Sequence, residues 1–207
     1  MKILIDNGHG VNTAGKGSPF ALNKVKPELF LREYQWARDI AARIYVGLKH
    51  LGYDVELLVT EDKDISLTER CHRVNAKCHE LGTKNVMLVS VHGNAAGNGR
   101  QWMSGRGWCC YTSPGQTKSD ILAEKLYDAA ARNFPGMKIR TEKAPDGDRD
   151  YEARFSMLVN TLCCAVLTEN FFYDNVEDCK YMLSEEGKTA IVRTHIEGIV
   201  HYIASLG

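Results

Sequence analysis

The stretch Ala165-Val-Leu-Thr-Glu-Asn-Phe-Phe-Tyr-Asp-Asn175 decides how this chain is read. It starts as a buried apolar strand and runs straight onto a carboxylate, Glu169, which is costly there unless it is paired or put to use. Two other apolar runs, Ile3-Leu-Ile5 and Val86-Met-Leu-Val-Ser-Val91, end in the same way, on His9 just after a glycine and on His92 just before one. Segments with helical period separate these runs, and that alternation is the pattern of an α/β domain. The expected fold is a single three-layer domain with a mixed, mainly parallel sheet and helices on both faces.

Working outward, the first strand spans Lys2 to Asp6, and a loop rich in Gly, Asn and Pro leads to a long helix opening near Glu28. Its apolar stripe falls on Ala37, Ile40, Ala41, Ile44 and Leu48, three and four residues apart. Tyr53 to Thr60 reads as a second strand, and Ser66 to Leu81 as a helix with Ser66 as cap and Glu69 three residues on. Asn85 to Val91 is the third strand. The segment from Gly93 to Ser119 holds six glycines and reads as the site loop, with an extra strand at Gly107 to Thr112. Asp120 to Phe134 is helical with Leu122, Leu126 and Ala129 or Ala130 inward, Pro135 to Arg154 is a polar surface excursion, and Leu162 to Thr168 is the last central strand. The final helix runs from about Ser184 to Ser205 on the stripe Val192, Ile196, Ile199 and Ile203.

The chain has 207 residues, 44% of them apolar, enough for one domain core, and the expectation is a single domain spanning residues 1–207 with no separate binding domain. Lys plus Arg equals Asp plus Glu at 26 each, so net charge makes no case for nucleic acid. The N-terminus lacks the apolar core of a signal peptide, and no stretch is long and apolar enough for membrane insertion. Seven cysteines, an odd number, read as free thiols in a reducing compartment. The expectation is synthesis in the cytoplasm. Oligomeric state is not legible.

In open α/β sheets ligands bind beyond the carboxyl ends of the strands, where His9, His92 and Glu169 are expected. Glu33 joins them, because it lies four residues before Ala37 and so on the buried stripe of the first helix. Two His and one Glu form a zinc set with a position left for water, and Glu169 then serves as a base for that water. Each residue alone has an ordinary explanation, such as a loop hydrogen bond or a favourable carboxylate at a helix N-terminus. One metal site accounts for all four.

The segments Asp6-Asn-Gly-His-Gly10, Glu33, Ser90-Val-His-Gly-Asn-Ala95 and Leu167-Thr-Glu-Asn-Phe-Phe-Tyr-Asp-Asn175 resemble, in order and spacing, the zinc-dependent N-acetylmuramoyl-L-alanine amidases of the Amidase_3 type found in autolysins and endolysins. Asp64-Ile-Ser-Leu-Thr-Glu-Arg70 with Asn75 is similar to the family's linking segment. The resemblance implies one zinc ion on His9, Glu33 and His92, Glu169 as the catalytic carboxylate, and hydrolysis of the amide between N-acetylmuramic acid and L-alanine of peptidoglycan or a muropeptide. With neither a signal sequence nor a wall-anchoring domain read in the sequence, the expectation is a protein made inside the cell that reaches the cell wall by a holin or by lysis. Asn94, Trp102 and Trp108 are candidates for substrate contact. The chain departs from the common pattern at Asn170, Phe171, Phe172, Asp174 and Glu61, which puts substrate detail in question.

Two competing functions are considered. A non-catalytic zinc or wall-binding module would lack one of the four residues, and all four are present. Gly10-Val-Asn-Thr-Ala-Gly-Lys16 nearly spells the phosphate loop of a nucleotide-binding protein, but Gly17 stands where a Ser or Thr should hold magnesium. Cys71-His72 and Cys78-His79 recur too far apart along a helix, about 10.5 Å, to share one ion. The pairs Cys109-Cys110 and Cys163-Cys164 read as small core fillers, and Trp36 as core.

Overall fold

The computed structural model describes residues 1–19, 29–142 and 147–207. In chain order the elements are β1 (Lys2–Asn7), α1 (Glu33–His50), β2 (Asp54–Leu57), α2 (Leu67–Leu81), β3 (Val86–Asn94), β4 (Cys109–Thr112), α3 (Lys118–Asn133), β5 (Tyr151–Glu152), α4 (Ser156–Val159), β6 (Cys164–Phe172), α5 (Val176–Leu183) and α6 (Glu185–Ala204). The six strands form one sheet in the order β2-β1-β3-β6-β4-β5. All neighbours are parallel except β4 and β6, which run antiparallel, so the sheet is mixed and mainly parallel.

Strand alternation divides the core into two layers. Ile3, Ile5, Met87, Val89, Val91 and Val166 point to one face, where the apolar sides of α1, α3, α5 and α6 cover them. Leu4, Val86, Leu88, Ala165 and Leu167 point to the other, under Cys71, Val74 and Cys78 of α2 and Met157 and Leu158 of α4. The stripe Ala37, Ile40, Ala41, Ile44 and Leu48 is fully buried, as are Leu122, Leu126, Ala129 and Ala130 of α3. Trp36 is core, and its Nε1 donates to Met182 O at 2.9 Å, tying α1 to α5.

Three boundaries differ from expectation. The first helix begins at Glu33, not near Glu28, which lies outside the described residues. β3 and β6 continue past Val91 and Thr168, so His92 and Glu169 are strand residues rather than residues beyond a strand end. In α6 the innermost residues are Ile191, Thr194, His195, Gly198, Ile199 and Tyr202, while Val192, Ile196 and Ile203 sit at the flank. The face is rotated because α6 packs tightly on α3, where a Cβ on Gly198 would lie 2.6 Å from a Leu126 methyl, and it buries polar residues that an apolar count passes over. The short elements α4, α5 and β5 are additions to the expected set.

Among the described residues no helix is long and apolar enough to cross a membrane. All seven cysteines are free thiols. Cys71, Cys78, Cys109, Cys110 and Cys179 are buried, whereas Cys163 and Cys164 are only partly so. His72 and His79 face outward from α2, so neither shares an ion with the buried thiols beside it.

Candidate metal centre

His9, Glu33 and His92 come from three separate elements. His9 follows β1, Glu33 opens α1 and His92 lies in β3, and one ligand atom from each falls within 4.8 Å of the other two. Glu33 is buried at 1% exposure between the two imidazoles, with His9 Nε2 at 3.3 Å and His92 Nδ1 at 3.1 Å. The Gly93 amide donates to Glu33 Oε1 at 3.2 Å, whereas Glu33 Oε2 is buried without a well-directed hydrogen bond. Two ring nitrogens and a carboxylate oxygen with unspent acceptor capacity fit a divalent ion of the zinc type.

Electrostatics support ionised Glu33. Burial would push its carboxyl up, but the hydrogen bonds and charges of His9 and His92 outweigh burial and hold it at about 2. His92 shows the converse. Burial would lower its pKa, yet the hydrogen bond and charge of Glu33, with Glu169 and Asp6 behind, raise it.

The backbone around His9 is braced. His9 has φ of 65°, in the left-handed region that non-glycine residues seldom occupy. Its carbonyl accepts from Arg38 of α1 at 3.0 Å and from Arg70 of α2 at 3.3 Å. Arg70 is buried at 2% and also bonds Asp6, Asp64 and the carbonyls of Asn7 and Ile65. Gly8 is required by close approach, because a Cβ there would overlap the His92 ring. The segment Asp64 to Arg70 thus carries a structural role beside the site.

Glu169 stands directly opposite His92 in the parallel β3–β6 register, so the two share one edge of the site. Its Oε2 is buried without a hydrogen-bond partner, and burial lifts its carboxyl to about 7, with His92, Lys16 and Arg140 opposing and Glu33 reinforcing that rise. Glu169, His9, Glu33, His92, Asn94, Tyr173 and Lys16 line one cavity of about 310 Å³.

Of the three residues expected at the substrate, only Asn94 lines this cavity. Trp108 does not reach it and is fully buried, its Nε1 donating to Asn170 Oδ1 at 2.9 Å and its ring edge-on to Tyr127. Although it lies in the glycine-rich segment, Trp108 immediately precedes β4 and bridges to Ile139 inside the core. Trp102 is part-buried against the core and is not among the cavity residues.

The residues that depart from the family pattern are structural. Asn170 Nδ2 donates to His92 O at 2.9 Å, and buried Asp174 accepts from the Ala96 and Gly97 amides, holding the loop after β3. Glu61 pairs with Arg73 at 2.7 Å. Sequence reasoning missed Lys16 as a cavity residue and Asp174 and Asp178 as loop anchors. A signal was present for the first, since Lys16 closes the Gly10–Lys16 run. That run does not build a phosphate loop: residues 17–19 after it are not helical, Val11 N donates to Asp62 O, Asn12 Oδ1 accepts from the Asp64 amide, and Lys16 O accepts from Glu33 N at the start of α1.

The sequence model of the family described as N-acetylmuramoyl-L-alanine amidase matches residues 3–201. The chain is 30% identical to an endolysin of Bacillus phage SPP1, over 97% of this chain and 65% of that protein. It is 28% identical to the N-acetylmuramoyl-L-alanine amidase CwlM of Bacillus licheniformis, over 96% of this chain and 67% of that one. It therefore spans about two thirds of the length of these relatives. Among solved structures, an N-acetylmuramoyl-L-alanine amidase from Clostridium difficile 630 superposes with a TM-score of 0.79 over 100% of this chain and 98% of that one, at 22% identity, a likeness of fold.

Proposed function

The chain belongs to the N-acetylmuramoyl-L-alanine amidase family, and from that premise we propose that it is a zinc-dependent hydrolase of the amide joining the lactyl group of N-acetylmuramic acid to L-alanine in peptidoglycan. The observation that carries this reading is the convergence of His9, Glu33 and His92 beside a fourth residue, the acid Glu169, whose buried oxygen has no partner. Zinc held by the three ligands would polarise the scissile carbonyl and acidify a water toward neutral pH.

The chain's own residues do the rest. Glu33 stays ionised at any working pH and sets a negative oxygen between the two imidazoles. Glu169, near neutrality, is suited both to accept and to return a proton. It takes the proton of the attacking water and delivers it to the leaving amine of L-alanine. Asn94 uses Oδ1 on the Ala95 amide at 2.8 Å, which leaves its Nδ2 to donate to substrate. Residues 1–207 act as one catalytic unit whose place of action is the cell wall.

Digestion of purified peptidoglycan tests the reading. New alanine N-termini should appear without new reducing sugar ends, and a chelator should stop their release until zinc is restored. New reducing ends would mark a glycosidase and overturn it.

A further inference from the structure

A short antiparallel bridge joins the segments that carry Lys16 and Arg32, and both residues line one cavity. Gly17 pairs with Arg32, Lys16 O accepts from Glu33 N at 3.1 Å, and Ser18 N donates to Leu31 O at 2.9 Å. The Ser18 hydroxyl donates to Leu29 O at 2.7 Å and accepts from Leu31 N at 2.9 Å. The approach requires glycine, since a Cβ on Gly17 would stand 2.6 Å from Leu31 O.

This wall closes one side of a second cavity of about 270 Å³, which Tyr34 and Asn98 also line. Gly15, Lys16 and Asn98 line both this cavity and the metal centre, so the two adjoin. No acidic side chain lines the second cavity among the described residues. Arg32 lies over the Phe30 ring at 5.6 Å, and among the described residues neither cation is engaged in an ion pair. A built, cation-lined cavity therefore adjoins the reacting centre.

The two sides of the scissile amide differ in charge. On the glycan side the sugars are N-acetylated and the lactyl carboxyl is consumed in the amide, so that side is neutral. The peptide side carries free carboxylates, first on the acidic residue that follows L-alanine. Arginine recognises such a group through paired hydrogen bonds, and a nearby lysine adds charge.

We propose that this cavity is the stem-peptide subsite, and that Lys16 and Arg32 select stems whose second residue keeps a free α-carboxylate over stems in which it is amidated. The proposal rests on the amidase reading above. It also gives the Gly10–Lys16 run an anion to bind, a carboxylate rather than a phosphate.

The experiment compares two muramoyl tripeptides with the zinc enzyme, one carrying L-alanyl-γ-D-glutamyl-L-lysine and the other its isoglutamine counterpart, in which only the α-carboxylate of the second residue is amidated. kcat/KM should favour the free acid by about tenfold, the worth of one charged hydrogen bond, with the difference in KM. Arg32→Gln should bring the ratio close to one, and Arg32→Lys should restore part of it. Equal turnover of the two by the wild type, or an unchanged ratio in Arg32→Gln, overturns the proposal. Calorimetric titration of L-alanyl-γ-D-glutamyl-L-lysine and its isoglutamine counterpart into the same proteins reads selection without turnover. Tighter binding of the acid that Arg32→Gln abolishes supports the subsite even if neither muramoyl tripeptide is cleaved, an outcome that would sink the amidase reading alone, whereas equal binding overturns the subsite.

Discussion

Glu169 is the residue at which stability and the proposed chemistry oppose each other. Burial raises its carboxyl from 4.5 to about 7, so the folded zinc-free protein keeps a proton that the unfolded chain has already lost. The sign follows: the folded state is penalised progressively as pH rises from about 4.5 through 7. Glu169→Gln removes the charge and the penalty. With chelator present, the variant should melt above the wild type at pH 8, and the gap should close at pH 5. Loaded with zinc, it should retain one ion per chain and lose turnover by at least about a hundredfold, the usual worth of a positioned base. Calorimetry, metal analysis and the product assay read these separately. Loss of the ion would make Glu169 a ligand and reassign the site.

At the scale of elements, β6 and α6 share a buried polar contact that apolar periodicity does not register. His195 of α6 is fully buried, with Nδ1 donating to Ile191 O at 2.7 Å and Nε2 accepting from the Thr168 hydroxyl at 2.8 Å. Thr168 Oγ1 in turn accepts from Asn170 Nδ2, which also holds the His92 carbonyl, so the contact reaches the metal centre. Burial depresses His195 to about 4, more than its bond to Ile191 offsets. Between about pH 6.5 and 4 the unfolded chain takes up a proton that the folded protein refuses, so stability falls as pH falls across that window. The loss amounts to at most about 3 kcal/mol. Urea unfolding at pH 7 and pH 4.5 should show the loss, and His195→Gln should flatten it; an equally steep variant would assign the slope to other groups. This same contact is why the core face of α6 was misread: helical period locates apolar side chains, and Thr194, His195 and Gly198 carry no apolar signal. The stripe of α1 was legible because every inward position there is apolar apart from Glu33, and that exception marked the site.

At the scale of the molecule, the three candidate ligands join the end of β1, the start of α1 and the end of β3. An ion that binds them only in the folded state stabilises the whole domain, by about 2.7 kcal/mol when free zinc is a hundredfold above its Kd. For a chain of this size chelation should then lower Tm by about 5–10 °C, and zinc should restore it. A melting temperature indifferent to chelation would argue that the ligands do not hold an ion.

Taken alone, the amino-acid order determined the α/β class, helices on both faces of the sheet and the run of most helices, and it nominated His9, Glu33, His92 and Glu169 as the candidate site. These follow from local period and from the cost of placing an acid or imidazole next to buried apolar chain. Tertiary structure decided that His92 and Glu169 face each other across β3 and β6, that Trp108 belongs to the core, and that Lys16 and Arg32 line one cavity beside the candidate metal centre. Each is a contact between residues distant in the chain. Such contacts depend on strand order and register, which the packing of the complete core sets and no local window contains.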